Sequence, residues 1–257
     1  MKSTATNSRW VTIHRKNPQA RMRLFIFPYA GGSASAFRTW PDHLPPDLEV
    51  CPVQLPGREK RIREPLFSNL SHLVKTLVPV LRPYMGIPFA FFGHSLGALM
   101  GFEIARELRR QGLGSPECLF VAGHSAPQIS DPEPPLHKLP DGEFIEGLHR
   151  YNGTPDAVLQ HKELMDILLP ILRADFTMSE TYTYMPEPPL DCPITAFGGL
   201  EEKLLQPDHV AAWKHQTTGT FHLNMFPGNH FFIHDHRNDL LQEISRVLNE
   251  VQVGERA

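Results

Sequence analysis

The chain has 257 residues, 41% of them hydrophobic, and a formal net charge of −3. This is enough apolar content for one large core, so we expect residues 1–257 to form a single domain. The small negative charge, without a basic stripe interleaved with aromatic residues, argues against a nucleic-acid partner. Since no apolar run is long enough to span a membrane and the polar opening Met1 to Arg9 has no signal-peptide core, we expect a cytoplasmic protein with no membrane partner.

Short apolar strands alternate with helical stretches along the chain. The alternation is typical of the α/β class, in which a mostly parallel sheet is covered by helices on both faces. Three cysteines lie in or beside predicted strands at spacings that match no metal motif, so we expect buried free thiols. The strands lie near Leu24, Leu48, Phe89, Leu119, Ile194 and Phe221, and the cysteines are Cys51, Cys118 and Cys192.

The first strand, Leu24 to Phe27, leads into the glycine-rich turn Pro28-Tyr29-Ala30-Gly31-Gly32. The turn lacks the lysine and the glycine spacing of a nucleotide-binding loop. Its glycines allow the backbone to approach a bound molecule closely, and the N–H of Ala30 is the donor we expect to face a substrate oxygen.

The third strand, Phe89 to Phe92, runs directly into Gly93-His94-Ser95-Leu96-Gly97, which is followed by a helical pattern from Ala98 to Gln111. A serine between a buried strand and a helix, with glycine two places to either side, is the pattern of a nucleophile elbow. Ser95 is therefore the predicted nucleophile. The N–H of Leu96, at the positive end of the helix, is the predicted second donor to an acyl oxyanion, and His94 is expected to be structural.

The alternation of strands and helices breaks between about Gln128 and Pro189. Proline-rich segments begin and end this stretch, and helical patterns cover Glu143 to Tyr151 and Glu163 to Tyr184. Because it is inserted between two strands, the stretch should lie over the carboxyl edge of the sheet and cover Ser95. We interpret residues 128–189 as a lid that moves on its proline-rich ends, with a static helical decoration as the alternative.

The last strand, Phe221 to Phe226, ends at Pro227-Gly228-Asn229-His230, with a helix expected from about Asn238 to Val251. In hydrolases with a nucleophile elbow the base follows the last strand, so His230 is the predicted base. The alternative is a metal site formed by His230 with His234, Asp235 and His236, whose imidazole and carboxylate groups suit zinc. No His-Glu-x-x-His helix or paired cysteines support it, and no metal is expected.

The strand from Pro193 to Phe197 ends in Gly198-Gly199-Leu200-Glu201-Glu202. A carboxylate at this end of the sheet would orient the imidazole and stabilise its charged form. Glu202 is the first choice for this acid and Glu201 the second. The alternative is that both glutamates belong to a solvated loop.

Taken together, these segments resemble the type II thioesterases that accompany polyketide synthases and nonribosomal peptide synthetases, within the α/β-hydrolase superfamily. The Leu-Pro-Gly-Arg-Glu segment is the discriminating one, since general esterases share the elbow but not this loop. One position departs from the family, which usually carries aspartate where this chain has Glu202. The resemblance extends over nearly the whole chain and rests on the segments Leu24 to Ala34, Gln54 to Glu59, Phe91 to Ala98, Leu172 to Asp175 and Phe226 to Phe232.

The resemblance implies an enzyme that removes acyl groups from the phosphopantetheine arm of acyl or peptidyl carrier proteins, with no metal or organic cofactor. Two alternatives remain open at the level of sequence: a general carboxylesterase or acyl-CoA thioesterase, and a non-catalytic binding protein on a hydrolase fold. The basic cluster Arg58, Lys60, Arg61 and Arg63 is expected to be a solvated loop, or else a docking point for an acidic carrier protein.

Overall fold

The computed structural model describes residues 9–130, 134–149 and 161–254. Six strands alternate with helices: β1 (Met22–Phe27), β2 (Leu48–Pro52), α1 (Leu70–Leu81), β3 (Phe89–His94), α2 (Leu96–Arg110), β4 (Leu119–Ala122), α3 (Asp141–Leu148), α4 (Lys162–Glu180), β5 (Ile194–Gly199), α5 (Pro207–Ala211), β6 (Phe221–Phe226), α6 (Phe232–Asp235) and α7 (Arg237–Gly254). Helices follow β2, β3, β4, β5 and β6, as the predicted alternation requires, whereas β1 and β2 are connected through the short 3-10 helices Ala34–Phe37 and Trp40–Asp42.

The six strands form one sheet in the order β2-β1-β3-β4-β5-β6, and every pairing is parallel. The chain leaves β1 toward β2 on one side and returns to β3 on the other, so the strand order reverses between β1 and β3. In open α/β sheets, ligands bind at the carboxyl ends of the strands beside such a reversal. The turn after β1 and the serine turn after β3 both lie at this place.

Both faces of the sheet are covered, because successive strand residues point to opposite sides. Phe25 and Phe27 pack with α1 and α2, whereas Leu24 and Ile26 pack with Trp40 and the apolar side of α7. None of the described helices is both long enough and apolar enough to cross a bilayer. The three cysteines are free and buried, as predicted.

The inserted stretch contains α3 and α4, which pack around a small apolar cluster of their own. Glu180, at the end of α4, accepts hydrogen bonds from the backbone N–H groups of Leu136 and His137 at 2.8 and 2.9 Å. Arg173 of α4 donates to Asp141 at the start of α3, at 2.6 Å. The two helices are therefore joined by polar contacts as well as by apolar packing.

The boundaries of these helices differ from the predicted ones. The helix expected from Glu163 to Tyr184 ends at Glu180, and the hydroxyl of Tyr182 then donates to Glu103 of α2 at 2.8 Å. That contact directs the chain along α2 instead of into a further helical turn. The helix expected from Glu143 to Tyr151 begins earlier, at Asp141, and residues 150–151 lie outside the described residues.

The proline-rich end of the insertion is held by three arginines of α2, here called the Glu187 clamp. The carboxylate of Glu187 lies 3.0 Å from Arg106, 2.9 Å from Arg109 and 2.7 Å from Arg110. Arg109 also donates to the carbonyl of Pro188 at 2.7 Å. These contacts join the proline-rich end of the insertion to α2.

Candidate active site

Ser95 lies in a strained backbone turn between β3 and α2. Its φ of 55° is in the left-handed region, which side chains other than glycine seldom adopt. Its N–H donates to the carbonyl of Ala122 at 2.8 Å, which ties the turn to β4. A Cβ at Gly97 would lie 2.1 Å from the carbonyl oxygen of Phe27, so only glycine lets α2 pass this close to β1. The elbow geometry predicted from the sequence is present.

The Tyr29–Gly32 turn follows β1 and faces the same cavity. It is closed by a hydrogen bond of 2.8 Å from the N–H of Gly32 to the carbonyl of Tyr29. Gly31 has a φ of +75°, the conformation that the third position of a type II turn requires. Ala30 from this turn and Leu96, the first residue of α2, both line the cavity that contains Ser95. The first N–H groups of a helix have no acceptor within it, so that of Leu96 can serve a ligand.

His230 and Glu202 are in direct contact. Nδ1 of His230 lies 2.5 Å from Oε1 of Glu202, and the two side chains are 7% and 5% exposed. An ionised carboxylate only accepts hydrogen bonds, so Nδ1 carries the proton in this pair and Nε2 is left to act as a base. The second carboxylate oxygen of Glu202 is buried and has no hydrogen-bond partner among the residues that the structure describes.

Backbone pairing explains why Glu202 rather than Glu201 reaches the imidazole. The ladder between β5 and β6 continues past both strands, with the N–H of Glu201 donating to the carbonyl of Gly228 at 2.9 Å. A Cβ at Gly199 would lie 2.5 Å from the carbonyl oxygen of Asn229, so the two loops are in close contact. Glu201 is exposed, whereas Glu202 points inward to His230.

His94 is fully buried and supports the backbone of the loop that carries His230. Its Nε2 lies 2.8 Å from the carbonyl oxygen of His230, and the two rings are 4.8 Å apart between centroids. Burial lowers the pKa of His94 well below its ordinary value, so the ring is neutral with the proton on Nε2. The structure thus gives His94 the structural position expected of it.

The residues of the alternative metal site do not converge. Nε2 of His234 lies 3.3 Å from the hydroxyl of Tyr29, and His236 lies 3.6 Å from Asp239. Burial lowers the pKa of His234. Within residues 9–130, 134–149 and 161–254, no three metal-ligating side chains come together.

The basic cluster is not the solvated loop that its sequence predicts. Arg58 and Arg61 are buried, and only Lys60 and Arg63 are exposed. Arg61 lies over the ring of Trp10, 3.9 Å from its centroid, and donates to Glu64 at 2.6 Å. The expectation fails because each of the two buried arginines contacts a distant part of the chain, Trp10 for Arg61 and Asp175 for Arg58.

Arg58 forms a buried ion pair with Asp175 of α4. One guanidinium nitrogen lies 2.9 and 3.0 Å from the two carboxylate oxygens. The same carboxylate accepts the N–H of Gly31 at 2.8 Å, and the other terminal nitrogen of Arg58 donates to the carbonyl of Gly32 at 3.3 Å. Burial raises the pKa of Asp175, while Arg58 and the N–H of Gly31 act in the opposite direction. Sequence reasoning placed both residues in family-like segments, but it interpreted Arg58 as part of a solvated or docking cluster and assigned no role to Asp175.

A cavity of about 610 Å³ joins these elements. Ser95, His230 and Glu202 lie on its wall together with both predicted oxyanion donors. The insertion contributes Phe176, Ser179 and Glu180 from α4 and the segment 182–184 that follows it. The cavity therefore lies between the carboxyl edge of the sheet and the inserted stretch.

Comparison with known proteins agrees with this geometry. A family model described as a thioesterase domain matches residues 22–248. Thioesterase PikA5 of Streptomyces venezuelae is 36% identical over 92% of this chain and 84% of its own length. The structure of the type II thioesterase BorB from the borrelidin biosynthetic cluster has a TM-score of 0.85 and 36% identity, covering 92% of this chain and 96% of that one.

Another relative carries a different name. Linear gramicidin dehydrogenase LgrE of Brevibacillus parabrevis is 43% identical over 99% of this chain and 98% of its own length. The turn after β1 in this chain, Pro28-Tyr29-Ala30-Gly31-Gly32, does not have the Gly-x-Gly-x-x-Gly spacing of a dinucleotide-binding turn. The family match and the serine elbow point instead to acyl transfer, and the chain belongs to the thioesterase family.

Proposed function

We propose that the protein is a type II thioesterase that hydrolyses acyl groups from the phosphopantetheine arm of carrier proteins in a polyketide or nonribosomal peptide synthase. The observation that carries the proposal is the arrangement of Ser95, His230 and Glu202 on one cavity wall of a thioesterase-family chain. The names of two relatives, which refer to linear gramicidin and to the borrelidin cluster, support the class of partner. We also propose that the enzyme acts in the cytoplasm, together with its carrier-protein partner.

In the proposed reaction, Nε2 of His230 takes the proton from the hydroxyl of Ser95 as its oxygen attacks the thioester carbonyl. Glu202 accepts the hydrogen bond from Nδ1, which holds the proton on that nitrogen so that Nε2 can act as the base, and stabilises the imidazolium that forms. The N–H groups of Ala30 and Leu96 donate to the oxyanion of the tetrahedral intermediate.

The carbon–sulfur bond then breaks, and His230 returns its proton to the leaving thiolate of the phosphopantetheine arm. This step leaves an acyl-serine ester on Ser95. A water molecule, deprotonated by the same imidazole, attacks that ester through a second oxyanion intermediate. Release of the carboxylic acid restores the hydroxyl of Ser95, and the reaction requires no metal or organic cofactor.

We also propose that residues 1–257 act as one catalytic domain in which residues 128–189 are a lid. The support for the lid is that Phe176, Ser179 and Glu180 of this stretch form part of the cavity wall that faces Ser95. The Glu187 clamp fixes the end of the stretch to α2. A lid of this kind would open by movement of its α3 and α4 helices relative to that fixed end.

The alternative of a non-catalytic binding protein depended on whether Glu202 can replace the aspartate usual in the family. The contact of 2.5 Å between Glu202 and His230 supports a working acid. A general carboxylesterase would use the same residues, so only substrate preference separates it from a carrier-directed thioesterase.

The test compares hydrolysis of an acyl-carrier-protein thioester, the matching acyl-CoA and a simple aryl ester by the parent protein and by Ser95→Ala. We expect the carrier thioester to give the highest kcat/KM and Ser95→Ala to lose about a thousandfold or more. Ser125→Ala is the matched control, since Ser125 lines the same cavity, and it should stay within about threefold of the parent. Preference for the aryl ester would support the esterase, and equal rates for Ser95→Ala and the parent would contradict the proposed nucleophile.

A further inference from the structure

Two buried charges lie beside the Tyr29–Gly32 turn, and neither takes a chemical step in the proposed reaction. The side chains of Arg58 and Asp175 are 5% and 1% exposed. Burying an ion pair costs desolvation energy that its attraction seldom exceeds, so apolar residues of similar size would often stabilise the fold as well. Stability alone therefore does not account for a buried pair at this position.

Both members of the pair hold the same turn. Asp175 accepts the N–H of Gly31 at 2.8 Å, and Arg58 donates to the carbonyl of Gly32 at 3.3 Å. The N–H of Gly31 belongs to the peptide plane between Ala30 and Gly31, so the carboxylate fixes the orientation of that plane. The N–H of Ala30, the proposed oxyanion donor, belongs to the preceding peptide.

Asp175 is part of α4, the helix that contributes to the cavity wall. The next residue, Phe176, lines the cavity. Leu172, about one helical turn earlier, packs against the turn so closely that a Cβ at Gly31 would lie 2.7 Å from its methyl carbon. The helix thus contacts the turn through a methyl group and through a carboxylate.

We propose that Arg58 and Asp175 are positioning residues that couple the packing of α4 against the Tyr29–Gly32 turn to the conformation of that turn. The inference rests on the proposed function, because it takes Ala30 as an oxyanion donor. If α4 moves away from the turn, the N–H of Gly31 and the guanidinium of Arg58 lose their acceptor together. The turn would therefore stabilise the oxyanion only while α4 is packed against it.

The test measures how strongly the oxyanion site distinguishes oxygen from sulfur. Acyl-N-acetylcysteamine thioesters and the matched dithioesters, in which sulfur replaces the carbonyl oxygen, are hydrolysed side by side. N–H donors stabilise a developing oxygen anion more strongly than a sulfur anion. The ratio of the two kcat/KM values therefore reports the oxyanion site and does not change with the fraction of folded enzyme.

We expect Asp175→Asn to lower kcat/KM for the thioester by about tenfold to a hundredfold and the oxygen-to-sulfur ratio by about fivefold or more. Asp141→Asn is the matched control, because Asp141 pairs at 2.6 Å with Arg173 of α4, the helix that also contains Asp175, but does not contact the turn. It should change neither quantity by more than about twofold. A parent-like ratio in Asp175→Asn would overturn the proposal.

A second variant allows the proposal to be tested even if Asp175→Asn does not fold. The double change Arg58→Met with Asp175→Leu removes both charges at similar volume, so the fold should persist while Gly31 loses its acceptor. We expect faster amide hydrogen exchange in the turn and the same fall in the ratio. Unchanged exchange and an unchanged ratio would overturn the proposal.

The exchange measurement also distinguishes failure of the proposed function from failure of the positioning role of Arg58 and Asp175. If Ser95→Ala hydrolyses thioesters as fast as the parent, the proposed function is wrong. Faster exchange in the double variant would then still show that the pair holds the turn. If exchange rises while the ratio stays at the parent value, the turn is held by the pair but does not act on the oxyanion, which overturns the inference.

Discussion

Replacing Glu202 by aspartate shortens the side chain that orients His230. Aspartate carries its carboxylate about 1.5 Å closer to the backbone, so the contact of 2.5 Å would lengthen to about 4 Å. The loop cannot move in to close this gap, because Leu200 and Glu201 are bonded at 2.8 and 2.9 Å to the strand and loop that lead to His230. The hydrogen bond to Nδ1 is then lost.

The loss can be estimated from the change in distance. With an effective dielectric constant of about 20, attraction between the carboxylate and the imidazolium falls from about 6.6 to about 4.2 kcal/mol. The difference of about 2.5 kcal/mol in transition-state stabilisation corresponds to about a 70-fold loss in kcat/KM. Glu202→Gln, which removes the charge altogether, should lose about ten thousandfold.

The assay follows thiol release from an acyl-N-acetylcysteamine thioester at saturating and limiting concentrations, after the unfolding midpoint shows that each variant is folded. Glu201→Asp is the matched control, since this neighbouring glutamate is exposed, and it should stay within about twofold of the parent. Parent-level or higher activity in Glu202→Asp would refute the reasoning, because it would mean that the shorter acid fits the site as well as the longer one.

Three further predictions concern other parts of the site. Gly97→Ala should destabilise the fold by about 3 kcal/mol in urea unfolding, because its Cβ would lie 2.1 Å from a backbone oxygen; parent-like stability would contradict the close approach. Because burial lowers the pKa of His94, the unfolded chain binds a proton below about pH 6.5 that the folded chain does not bind. As the pH falls, the free energy of unfolding of the parent should therefore decrease by about 1.4 kcal/mol per pH unit relative to that of His94→Gln. Equal pH slopes for the two proteins would count against a neutral buried ring. His230→Ala should lose about a thousandfold in kcat/KM, whereas His234→Ala and His236→Ala should stay within a few-fold, and a large loss at either would restore the metal alternative.

The parts of the site that the sequence predicted depend on local patterns. The serine turn is defined by a strand, two glycines and a helix that are contiguous in the chain, and His230 follows from its place after the last strand. The choice between Glu202 and Glu201 required the backbone, because the hydrogen bond from the N–H of Glu201 to Gly228 determines which side chain points inward.

The Arg58–Asp175 pair could not be predicted, because its members are 117 residues apart. Within its own segment Arg58 has basic neighbours and therefore resembles a solvated residue. Its burial depends on a carboxylate brought in by α4. The contacts of Glu187 could not be predicted for the same reason, since its arginine partners lie on a helix from an earlier part of the chain.

The Glu187 clamp also determines how thioesterases of this kind can be recombined. Exchange of residues 128–189 for the corresponding segment of a relative would bring in a new Glu187 and a new Asp175 but leave Arg106, Arg110 and Arg58 in the recipient. If only one of the two chains has the Arg58–Asp175 pair, the chimera would bury a charge without its partner, and we expect it to be less stable by about 3 to 5 kcal/mol. Segments for such an exchange should therefore be chosen first by whether the recipient has the matching arginines and only then by overall identity within the segment.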